Sequence, residues 1–133
     1  MLREAHVATR IPVRDLSRAR EWYSAKLGLE PSEERPGGLL YRLGSGEFAL
    51  FESAGTSPGT FTQMAFDVDE LKATVAALKE RGVVFEHVDL PGLETVDGIT
   101  RVEGNYPSKG GSGELAAWFR DLDDNMFGIA QPL

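Results

Sequence analysis

The chain has 133 residues, no cysteine and a formal net charge of −7, with 41% apolar and 26% charged residues. That length can bury a core without covalent staples, and the missing cysteines exclude a disulfide framework, a thiolate nucleophile and cysteine-ligated zinc. The acidity argues against a nucleic-acid backbone as partner, since binding one needs a basic face, and no apolar run approaches the roughly 20 residues of a membrane span.

The first residues, Met1 to His6, lack the apolar stretch and cleavage site of a secretory leader, so a cytoplasmic location is expected. Residues 6–13 alternate, with Val7, Ile11 and Val13 on one side and His6, Ala8 and Arg10 on the other. This predicts a first strand whose apolar side lies against a helix. Asp15 can accept from the free amides of a first helical turn. Leu16, Ala19, Trp22, Tyr23 and Leu27 then form a helical stripe, and Gly28 supplies a left-handed stop. Residues 29–33, 39–43 and 47–52 read as short strands separated by turn compositions.

Residues 54–60 form a flexible joint, and the plan then begins again. A strand is predicted over 61–68, a helix over 69–81 and a strand over 83–88. Residues 89–113 are a long turn-rich insertion, with Pro91-Gly92, Asp97-Gly98, Tyr106-Pro107 and a short strand over 99–102. Residues 115–120 and 126–131 close the chain as a hairpin over 121–125.

The repetition has a fixed offset. Val13 and Val68 are 55 residues apart, as are Leu16 and Leu71. Two copies of one supersecondary unit therefore share a single domain over 1–133, with module one at 1–53 and module two at 61–133.

This pattern resembles the vicinal oxygen chelate superfamily, which contains glyoxalase I, bleomycin resistance proteins, fosfomycin resistance proteins and extradiol dioxygenases. The residues that carry the resemblance are Val13-Arg14-Asp15-Leu16, Trp22-Tyr23, Leu27-Gly28-Leu29, Ala65-Phe66-Asp67-Val68 and Arg81-Gly82-Val83, with Trp118 to Asn125. It implies an α+β fold of two βαβββ modules, forming an incomplete curved-sheet barrel around a central cavity with the helices outside. It also implies a homodimer, in which a second chain often completes the cavity.

Enzymes of the superfamily hold one divalent metal through His, Glu or Gln side chains, carried on the first and last strand of each module. The matching positions here are Ala8, Ala49, Gln63 and Gly128. One amide cannot replace an imidazole and two carboxylates, so neither a metal at that place nor another cofactor is expected. The remaining ligand types, His6, Glu52, His87, Glu103 and Glu114, show no metal-binding spacing. Asp121-x-Asp123-x-Asn125 resembles the opening of a calcium loop, but Met126 stands where that loop turns on Gly.

Strand parity and residue type nominate Arg10, Gln63, Tyr41, Phe51, Trp118 and Met126 as walls of a ligand cavity. Arg10 offers a fork for a carboxylate or phosphate, although a bridge to Asp67 or Glu47 is the plainer reading. Tyr106 is a further aromatic that can stack on a flat ligand.

Three functions remain open from the sequence. The first is a metal-free protein that sequesters a small aromatic or charged molecule. The second is a lyase, isomerase or dioxygenase using a displaced metal or metal-free acid–base chemistry. The third, an interaction module, needs a filled cavity, which the small residues Ala8, Ala49 and Gly128 disfavour.

Overall fold

The computed structural model describes residues 1–104 and 110–133; Tyr106 and Pro107 lie outside the described residues. Module one runs β1 (Thr9–Val13), α1 (Leu16–Trp22), β2 (Glu33–Arg35), β3 (Gly38–Leu43) and β4 (Gly46–Glu52). Module two runs β5 (Thr62–Asp67), α2 (Leu71–Glu80), β6 (Thr95–Val96), β7 (Ile99–Glu103), β8 (Gly113–Arg120) and β9 (Met126–Pro132). They form a four-stranded sheet of order β1-β4-β3-β2 and a five-stranded sheet of order β5-β9-β8-β7-β6. Neither sheet closes into a barrel. In each, the first strand of the module pairs in parallel with the last, as β1 with β4 and β5 with β9. Among the described residues no helix is long and apolar enough to cross a membrane.

Local chemistry accounts for the first helix. Asp15 accepts from the Arg18 amide at 3.1 Å, and Gly28 ends the helix at φ +67° after a π-helical turn over Tyr23–Leu27. The second helix starts differently. Its side-chain cap comes from outside the module's opening segment, because Leu71 N–H donates to Gln131 Oε1 at 2.8 Å. The hairpin β6–β7 turns on Asp97-Gly98, both residues having positive φ, the backbone that a two-residue turn requires.

Three strand expectations need correction. The first strand begins at Thr9, where pairing with β4 begins, and Val7 is 89% exposed instead of buried. The strand expected at 29–33 lies at Glu33–Arg35, beyond Pro31. Residues 83–88 make only a single bridge, Phe85 to Phe119. There the Thr95 hydroxyl accepts from Val88 N–H and donates to Val88 C=O, taking up backbone groups that a strand would offer to a neighbour.

α1 packs on β3 and β4, and α2 on β8 and β9. The helix-facing sides of the sheets share one core. Tyr41 and Phe48 stack at 5.0 Å, Phe48 meets Phe66 edge-on at 6.2 Å, and Phe127 touches both Phe66 and Tyr23. Phe66 and Phe127 therefore join the modules through aromatic contacts.

Two buried phenols have a consequence in alkali. Burial pushes the Tyr23 hydroxyl well above its ordinary value, helped by the adjacent Asp121 carboxylate, and burial pushes Tyr41 up to about 12. The folded chain thus keeps protons that the unfolded chain releases near pH ~10. The stability carried by these phenols is whole below that pH and is lost as pH rises through their raised folded values, about 12 for Tyr41. In an alkaline titration, phenolate absorbance from these two tyrosines should appear only together with unfolding. If they ionise near pH ~10 while the fold persists, burial is not what holds the protons.

Candidate functional site

Strand alternation leaves a second face on each sheet, turned away from its helix. In the first sheet that face carries Arg10 beside Ala49 and Leu40, with Pro12 beside Phe51. In the second sheet the corresponding row is Ala65, Gly128 and Trp118. Both rows place a small residue in the middle. In the second, that residue is covered by an aromatic side chain.

Gly128 is buried, and the Trp118 indole lies across it. A Cβ built on Gly128 would stand 3.4 Å from Trp118 Nε1 and 3.6 Å from both the Ala65 Cβ and the Thr62 Cγ2. An alanine side chain would just fit there. A longer side chain directed onto this face would have to displace the indole. The Trp118 N–H has no acceptor among the described residues, which leaves it free to donate to a ligand.

Beside the indole is a cavity of about 480 Å³, lined on its apolar side by Phe61, Leu90, Leu93, Trp118 and Met126. Phe61 and Leu90 are 55% and 60% exposed, which is unusual for side chains of that size unless something covers them. Glu86, His87 and Asp89 supply its ionisable groups, and Thr60 and Thr62 its hydroxyls.

A larger space, about 830 Å³, lies between α2 and the β6–β7 hairpin. Three cations there, Lys72, Lys79 and Arg101, face three acids, Glu94, Asp97 and Glu103. Lys79 donates to the Asp97 carbonyl, and Arg101 pairs with Glu103 at 3.6 Å. With its charges balanced and partly satisfied internally, this groove offers a ligand less than the Trp118 cavity does.

The residues nominated from sequence separate into four places. Trp118 and Met126 line the cavity together. Arg10 and Phe51 lie on the equivalent face of the first sheet and do not line it. Arg10 is exposed and makes no ion pair among the described residues, while Glu47 is engaged by His6 and Arg42. Gln63 sits at an irregularity between Thr62 and Met64, and its Oε1 accepts from the Ser57 hydroxyl at 2.7 Å. Tyr41 is the exception to the expected facing. It is fully buried on the helix side, against Phe48 and Tyr23, because residues 38–43 alternate with Leu39 and Tyr41 inward. Sequence reasoning missed Phe61, Glu86, His87, Asp89 and Leu90. An exposed aromatic at the start of β5 was the one local sign.

A divalent metal is poorly served by these side chains. Ala8 is exposed ahead of β1, Ala49 has no donor, the Gln63 amide oxygen is engaged and Gly128 lies beneath Trp118. Among the described residues no three His, Cys, Asp or Glu side chains come together. This donor set does not fit the metal that the superfamily's enzymes hold.

Solved structures share the fold across nearly the whole chain. A glyoxalase/bleomycin resistance protein/dioxygenase from Alicyclobacillus acidocaldarius superposes with a TM-score of 0.70 at 15% identity, covering 98% of this chain and 92% of that one. TnmS3, an antibiotic binding protein from a Streptomyces species, gives 0.62 at 21% identity, with 98% of each chain covered. The fosfomycin resistance protein FosX from Listeria monocytogenes gives 0.66 at 14% identity, with 98% and 94% covered. Likeness at such identities establishes architecture alone. No curated protein matches the chain in sequence. Residues 4–129 match the family model of the Glyoxalase/Bleomycin resistance protein/Dioxygenase superfamily, and the chain belongs to that superfamily.

Proposed function

We propose that this chain is a small-molecule-binding member of the superfamily that works without the superfamily's divalent metal and takes its ligand beside Trp118. The observation that supports this most is the indole lying across Gly128. At that position the resemblance places a metal-binding carboxylate in the enzymes. Here an aromatic platform with a free N–H lies over it, suited to stacking and hydrogen bonding. The antibiotic binding protein among the structural neighbours is consistent with this use of the fold.

The continuous aromatic core favours treating 1–133 as one domain of two modules. The exposed Phe51, Phe61 and Leu90 favour a homodimer in which a second copy covers part of the ligand face. The alternative is a lyase, isomerase or dioxygenase that uses a displaced metal or metal-free acid–base chemistry. It has His87 as the cavity's imidazole, but no positioned partner for it among the described residues.

Elemental analysis of protein purified without chelator tests the proposal. Iron, manganese, nickel and zinc should each fall far below one equivalent per chain. A stoichiometric amount of any of them, removed only by a strong chelator, would overturn it.

A further inference from the structure

We infer that the Trp118 cavity selects a planar aromatic cation, a class of ligand set by the charges around it. This rests on the reading of that cavity as the ligand site and adds the sign of the ligand's charge. Among the described residues the acidic groups lining the cavity are Glu86 and Asp89, and no lysine or arginine lines it. The cation that reaches toward it is Arg120, and its guanidinium is committed elsewhere. Arg120 donates to the Gly59 carbonyl at 2.8 and 3.1 Å and pairs with Glu86 at 3.5 Å.

That leaves Asp89, whose carboxylate has no hydrogen bond or ion pair among the described residues. His87 is the remaining titratable group, and its protonation would oppose a cationic ligand. Asp89 is exposed, so its carboxylate keeps its water and acts on a ligand through its charge, repelling an anion at the cavity and attracting a cation. A neutral ring gains nothing from that charge. A cationic ring gains the attraction of Asp89 and, over the indole face, that of Trp118, the side chain best suited to a cation over a π-system. The net charge of −7 draws the same class of molecule toward the surface.

The basic residue that would have argued for an anion, Arg10, belongs to the other sheet. Its separation from the cavity is what sets the sign. Arginine and aromatic residues that look like one binding set in the sequence are two sets in space.

Three planar probes of nearly equal shape test this: N-methylacridinium, neutral acridine and acridine-4-carboxylate, at mildly alkaline pH. In a Trp22→Phe background Trp118 is the sole tryptophan, so its quenching reports the cavity, and calorimetry on the natural chain supplies a second measurement. The cation should bind about tenfold more tightly than acridine, and the carboxylate more weakly than either. Asp89→Asn should cut the cation's advantage about threefold, leaving the part that the indole supplies, and leave acridine's affinity as it was. Equal binding of cation and neutral ring, tighter binding of the anion, or a preference that Asp89→Asn leaves undiminished would each overturn the charge inference while leaving the cavity as the ligand site. If no probe quenches Trp118 or gives heat with the natural chain, the reading of the cavity falls as well.

Discussion

Replacing Asp121 with alanine is expected to lower the unfolding free energy by about 3–5 kcal/mol, the loss typical of a buried charged group removed from its partners. Asp121 is buried at the start of the turn between β8 and β9. Its Oδ2 accepts from the Tyr23 hydroxyl at 2.5 Å and from Asn125 Nδ2 at 2.9 Å. Its Oδ1 accepts from the amides of Asp123 and Asn125 at 2.8 and 3.0 Å. Asn125 Nδ2 also donates to the Pro12 carbonyl at 2.8 Å, so this cluster ties the last hairpin to both β1 and the π-helical turn that follows α1. Alanine would strand the Tyr23 hydroxyl and two backbone amides and would uncouple the modules. Chemical denaturation that finds Asp121→Ala within about 1 kcal/mol of the natural chain would show that the cluster does not hold the modules together.

The same carboxylate predicts a pH dependence of definite sign. Burial raises its pKa, and the four donors, which act the other way, do not fully offset that. The folded chain therefore binds the proton more tightly than the unfolded chain. Stability from this group is complete below the ordinary aspartate value of ~3.9 and is lost as pH rises from there through the raised folded value. Asp121→Asn keeps the shape and cannot ionise. Its disadvantage relative to the natural chain should consequently shrink as pH climbs through that window. A disadvantage that instead grows with pH would mean that the donors outweigh burial.

How far the sequence reached depended on the range of the interaction. Within one turn of chain it was legible: Asp15 caps α1, Gly28 takes a left-handed backbone and Asp97-Gly98 makes a turn, although the hairpin that it closes with β6 was not foreseen. β1 and β5, which the 55-residue offset relates in sequence, are both edge strands that pair in parallel with the last strand of their sheet. Asp124 adopts φ +64°, a backbone aspartate tolerates.

What stayed hidden came from contacts distant in sequence. The α2 cap is Gln131, 60 residues away from Leu71. The Thr95 side chain displaces a strand at 83–88 that composition alone supports. The irregularity between Thr62 and Met64 breaks the two-residue period that assigned side chains of β5 to faces, so Phe61 was not foreseen as a cavity wall. Residues 86–90 carry no periodicity, because a loop crossing a sheet face needs none. Tyr41 shows the opposite limit. Its hydroxyl is buried with no partner among the described residues, whereas a tyrosine expected to bind ligand had been assigned to the open face.

For Trp118, removal should separate binding from folding. Trp118→Ala is expected to weaken N-methylacridinium binding by about 30- to 100-fold, the loss of a large aromatic anchor worth roughly 2–3 kcal/mol at the centre of a site. The effect on stability should be smaller, about 1 kcal/mol, because the indole is partly exposed on a face outside the shared core. Trp118→Phe should fall between, with roughly a three- to tenfold loss of affinity, since it keeps a stacking face but lacks the N–H and the stronger cation attraction of indole. Trp22 provides the converse. It packs edge-on against Tyr23 at 5.3 Å beside the core, so Trp22→Ala should cost stability and leave calorimetric affinity unchanged. If Trp118→Ala binds within about threefold of the natural chain, the indole is packing over Gly128 and nothing more, and the cavity loses its claim to be the ligand site.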